Sequence, residues 1–117
     1  MKDQLESERC ARYMKALSEG ERLKIIETLL EGPRSVSEVA EAMRSPLQNV
    51  SHHLRCLAVA GLLNSRREGK FIYYTLNAAI LRKATPANPT PALEFGCCRI
   101  ELGGRSKRRL APAGKTR

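Results

Sequence analysis

The feature that most constrains this chain is a change of period within one continuous stretch, residues 45–76. Val50, Leu54, Leu57 and Gly61 recur at the spacing of one helix face, while Gln48, Asn49, Ser51, His52 and Arg55 lie away from it. At Leu62 the pattern gives way to two strand-like runs, Leu62 to Arg67 and Lys70 to Leu76. Glu68-Gly69 links them, glycine supplying the positive φ that a two-residue hairpin turn demands. A polar helix running straight into a glycine-tipped hairpin leaves few architectures open.

That helix is expected to open at Ser45-Pro46, with serine as N-cap and proline at the first helical position, where its missing N–H costs nothing. Three helices precede it. From Asp3 to Leu17 the residues Cys10, Tyr13, Met14 and Leu17 fall at i, i+3, i+4 and i+7. Leu23, Ile25, Ile26, Leu29 and Leu30 give a second helix that stops at Gly32-Pro33. Ser35 or Ser37 caps a short third one carrying Val36, Val39, Ala40 and Met43.

A fifth helix is expected after Asn77 through Ala78, Ile80 and Leu81, ended early by Pro86, Pro89 and Pro91. Leu93 to Leu102 shows no decisive pattern. The chain therefore reads as mainly α with a small β-hairpin, in the order α-α-α-α-β-β-α of a winged helix-turn-helix. Residues 1–84 form the winged-helix unit, 85–102 a proline-containing linker with the Cys97-Cys98 pair, and 103–117 a basic tail. In that tail glycine, proline and like charge favour disorder.

Charge points to a polyanionic partner, but unevenly. The 117 residues carry 21 Lys and Arg against 12 Asp and Glu, for a net charge of +9. Six of those nine charges belong to Arg105, Lys107, Arg108, Arg109, Lys115 and Arg117 in the tail, so the rest of the chain is only mildly basic. No apolar run approaches the roughly 20 residues needed to span a bilayer, and MKDQLESERC lacks the apolar stretch of a signal peptide. A cytoplasmic location away from membranes is expected, and there four cysteines do not make a structural disulfide framework.

The geometry of duplex DNA explains why this order of elements suits it. An α-helix fits the major groove and presents its polar face to base edges, while a basic hairpin lies along the adjacent backbone or minor groove. Gln48 and Asn49 match adenine edges through paired donor and acceptor, and Arg55 suits guanine or phosphate. Ser51, His52 and His53 add shorter contacts, and Arg66, Arg67 and Lys70 cluster at the hairpin tip, where counterion release supplies affinity. The only histidines lie on this face, and neither a glycine-rich phosphate loop nor a nucleophile–base motif is present, so an enzyme is not expected. A winged helix used purely for protein contacts is the remaining rival, and salt-sensitive binding to a promoter fragment separates the two.

The stretches ALSEGERLKIIETLLEGPRSVSEVAEAM, NVSHHLRCLAVAGLL and SRREGKFIYYTL closely resemble the ArsR/SmtB family of winged-helix repressors, over about three quarters of the chain. The resemblance implies a homodimer built from the first and last helices, bound to an imperfect palindrome near its own promoter and released by an inducer. No cofactor is required for DNA binding itself. Ser45 and Leu47 depart from the family's usual apolar and polar residues, respectively, at the start of the recognition helix. The last helix is cut short by prolines, which weakens the expected dimer contact.

Two metal sites known in the family lack their ligands. The third-helix stretch SVSEVAEAM has no cysteine, and LNAAILRKATPANPT lacks the Asp, His and Glu set of the last-helix site. The remaining donors are Cys10, Cys56, Cys97 and Cys98. Three thiolates suit As(III) or Sb(III), and soft ligands select Cd(II), Pb(II) or Hg(II) over harder ions. Cys97 and Cys98 are the leading candidates and share one ion only if the backbone turns there, as Gly96 permits.

Cys10, a small apolar residue on its helix face, completes such a site only across the family's dimer. Cys56 stands one turn after His52, at a position resembling a cysteine of cadmium- and lead-sensing relatives, but their second cysteine is Ala60 here. The same thiols also suit redox or reactive-sulfur sensing, and Cys10 is then the better disulfide partner, because adjacent cysteines bridge each other with strain. A winged-helix regulator with no metal ligand is the third alternative.

Overall fold

Four helices form where the apolar spacing places them. In the computed structural model, which describes residues 2–102, they are α1 (Lys2–Ala16), α2 (Gly20–Thr28), α3 (Val36–Met43) and α4 (Leu47–Val59). α2 tightens into a 3₁₀ turn over Leu29–Glu31 and stops at Gly32, whose φ of 139° is open only to glycine. Of the two serines able to cap α3, Ser35 does so. Its Oγ accepts from the Glu38 N–H at 3.2 Å, and Glu38 Oε1 accepts from the Ser35 N–H at 2.9 Å.

Between α3 and α4 the chain turns on Arg44, held left-handed at φ 55°, and the Ser45 N–H donates to the Ala40 carbonyl at 3.1 Å. That bond commits Ser45 to the end of α3. The N-cap of α4 is therefore Pro46 and its first residue Leu47, one position later than expected, without a side-chain cap. The serine expected to open one helix instead closes the other.

β1 (Arg34–Ser35), β2 (Leu63–Glu68) and β3 (Phe71–Leu76) make an antiparallel sheet in the order β1-β3-β2. Glu68 pairs with Phe71, so the two-residue link is Gly69-Lys70 rather than Glu68-Gly69. Gly69 has φ 62° and Lys70 is not among the positive-φ residues, which puts glycine at the first central position as a type II′ turn requires. Ile25, Ile26, Val39, Val50, Leu54, Leu57 and Leu62 are fully buried and tie α2, α3 and α4 to the root of the hairpin. On α1 the residues Cys10, Tyr13 and Ala16 are buried, as is Leu17 just beyond its end, whereas Met14 is 48% exposed.

The described chain divides into two compact units after Asn77. In the second, the expected fifth helix does not form. Residues 78–80 turn, and β4 (Leu81–Arg82) pairs with β5 (Ala92–Glu94), which pairs with β6 (Arg99–Glu101). The prolines limit any helix after Asn77 to the eight residues 78–85, and within that span Leu81 and Arg82 pair with β5. The Ile80 carbonyl instead accepts from the Glu94 N–H at 2.8 Å. The basic tail, 103–117, for which disorder is expected, lies outside the described residues.

Candidate nucleic-acid interface

The buried stripe of α4 fixes which of its residues face outward. With Val50, Leu54 and Leu57 held in the core, Leu47, Gln48, Asn49, His52 and Arg55 are exposed and Ser51 is half-buried. Arg55 Nη1 donates to Ser51 Oγ at 3.0 Å, one turn back, which extends the guanidinium along the helix surface. His52 Nε2 lies 3.6 Å from the Cys56 sulfur. Six of the seven α4 residues under consideration, Cys56 included, thus occupy one continuous outer strip from Gln48 to Cys56.

His53 is the one that does not. Its side chain is 12% exposed and turns to α2, with Nδ1 accepting from Arg22 Nε at 3.0 Å and Nε2 lying 3.3 Å from Glu21 Oε1. A neutral ring protonated at Nε2 satisfies both contacts. Arg22 also donates to the Ala16 carbonyl at 3.2 Å, so one arginine joins the end of α1 and the body of α2 to α4. Sequence reasoning missed this role of Arg22. The available signal was the position of His53 three residues after Val50 and four before Leu57, at the border of the apolar stripe.

On the hairpin, Leu63 is buried and Asn64 to Glu68 are all exposed, whereas on β3 Tyr74 and Leu76 are buried and Phe71 and Ile72 near the tip are exposed. Its cations are not equivalent. Arg66 Nε bonds Glu68 Oε2 at 2.7 Å, and its guanidinium sits 6.0 Å from the centre of the Tyr73 ring opposite. Arg67 and Lys70 are exposed at the tip.

In the second unit the chain reverses at Gly96-Cys97. Gly96 has φ 93°, and the Phe95 N–H donates to the Cys98 carbonyl at 2.9 Å, so Cys97 lies within a turn that Cys98 closes, and the two do not alternate along a strand. Cys98 is half-buried with a free thiol, and Cys97 is exposed and a half-cystine. In the first unit Cys10 is a buried half-cystine and Cys56 has a free thiol. Among the described residues no group of three or more His, Cys, Asp or Glu side chains is placed to hold a metal ion. No helix among them is long and apolar enough to cross a membrane.

Comparison with known proteins agrees with this geometry. Residues 19–65 match the model of the arsR family of bacterial regulatory proteins. The chain is 37% identical over 68 residues to the transcriptional repressor SdpR of Bacillus subtilis, covering 58% of this chain and 76% of that protein. It is 32% identical over 94 residues to the probable mercury resistance operon repressor of Streptomyces lividans, covering 75% and 74%. A similar solved structure is the homodimeric winged helix-turn-helix DNA-binding domain of a possible ArsR-family transcriptional regulator from Mycobacterium bovis. It has a TM-score of 0.58 and 38% identity, over 60% of this chain and 65% of that one. Helices, wing and sequence concur, and the chain belongs to the arsR family of bacterial regulatory proteins.

Proposed function

We propose that the protein is a homodimeric transcriptional repressor that reads operator DNA with α4, steadies itself on the backbone with the wing, and releases DNA when its thiols capture an inducer. The observation that carries the DNA-binding part is the outer strip of α4, with Gln48, Asn49, Ser51, His52 and Arg55 on one surface, followed by a wing that ends in Arg67 and Lys70. Helix and wing together fit a major groove and the flanking phosphates. Anisotropy titration of the full chain against duplex selected from a random library tests it, with two protomers expected per palindromic site. Lys70→Ala is expected to weaken all duplexes alike and to lower the slope of log K against log salt by about 2 for the two copies in a dimer. Salt-independent binding, or none, would overturn the proposal.

The inducer is assigned by chemistry. Cys97 and Cys98 place two soft donors at one exposed turn, which suits As(III), Sb(III), Cd(II) or Pb(II) once both are reduced. That turn supplies two sulfurs, and a trigonal site takes a third thiol from elsewhere in the dimer, for which Cys10 is proposed and Cys56 is the weaker candidate. A similar protein named for mercury resistance supports a soft ion. A second reading, release by oxidation or reactive sulfur, is favoured by the half-cystine state of Cys97. Arsenite and Cd(II) added to reduced protein, and peroxide added to the same sample, separate the two by which one lowers operator affinity. Each cysteine is changed singly to serine to locate the response.

A further inference from the structure

The start of α4 is not wholly polar. Leu47, its first residue, is 53% exposed although it is a large apolar side chain at a helix end given over to polar groups. An exposed leucine alone carries no message. Its surroundings do. Leu47 and Val36, the first residue of α3, line one recess of about 420 Å³ together with Gln48, Ser51 and Arg55. Its lining thus combines two apolar side chains with an amide, a hydroxyl and a guanidinium. The first turn of a helix lying in the major groove is the part that meets base edges. There only one base offers an apolar group, the 5-methyl of thymine, beside polar edges that amide and guanidinium groups can address.

The geometry points to Leu47, backed by Val36, as a receptor for a thymine methyl group, so that the repressor requires thymine at one fixed place in each half-site. This rests on the DNA-reading role of α4 proposed above. It adds a readout that hydrogen bonding by Gln48 and Arg55 does not supply, because deoxyuridine presents the same hydrogen-bonding edge as thymine and lacks only the methyl.

That difference gives the test. The full chain selects an operator from a random duplex library, and each thymine is then replaced in turn by deoxyuridine in both half-sites. Dissociation constants are measured for the native protein, Leu47→Ala and Leu47→Met. At one symmetric position the replacement is expected to weaken native binding by about fourfold per half-site, the equivalent of one buried methyl. Leu47→Met retains the discrimination, and Leu47→Ala binds both duplexes alike. Native protein that binds its operator yet ignores every replacement, or a Leu47→Ala variant that still discriminates, overturns the assignment and leaves DNA binding intact. Failure to select any duplex overturns the DNA-reading role itself and this inference with it.

Discussion

His52 and His53 are neighbours with opposite surroundings. One ring lies exposed on the outer strip beside Cys56, and the other is held between Arg22 and Glu21. A helix turns 100° per residue, so adjacent positions fall on different sides, and only their distance from the apolar stripe tells them apart. His53→Ala removes the acceptor of a half-buried guanidinium, and we expect a loss of about 1–2 kcal/mol in urea unfolding. Base preference in the selected operator should not change. A variant as stable as the native protein but altered in preference would return His53 to the DNA face. The outer strip was legible in the sequence because amphipathicity reports it directly. The Arg22 contact was not, because it joins residues 31 apart that no local pattern connects.

Elements were legible in proportion to how local their causes are. The capping box of α3 is a four-residue signal, and Ser35→Ala is expected to cost about 1 kcal/mol of stability. Arg44, left-handed at φ 55°, stores strain of roughly the same size, so Arg44→Gly should raise stability by about 1 kcal/mol. Thermal unfolding of the two variants should therefore move in opposite directions, by about 4–8 °C each. Two same-direction shifts would contradict the turn geometry. The one-residue delay of α4 arose because Ser45, expected as its N-cap, closes α3 instead, a competition invisible to a rule that treats each helix start alone. The β4-β5-β6 sheet escaped prediction for a related reason. Its strands are two or three residues long, and β4 meets β5 across a proline-containing link, too short for any period to show.

At the scale of the molecule, charge is divided unevenly along the chain. Six of nine net positive charges lie beyond Gly103. Ending the chain at Gly103 is expected to lower the salt dependence of binding and the affinity for random duplex, while the selected operator sequence stays the same. A changed sequence would mean that the tail reads bases. The wing adds a constraint of another kind. Its tip is a two-residue turn on Gly69 and its strands pair rung for rung from Leu63–Leu76 to Glu68–Phe71. Such an arm is a ruler graduated in single rungs of about 3.4 Å, nearly the rise per base pair along the axis of B-form DNA. One added rung would lengthen the arm by about 3.4 Å but turn every tip side chain to the opposite face. Two rungs would restore the face. The wing can therefore be lengthened only two rungs at a time, about 7 Å, without exchanging which side chains its tip presents on each face.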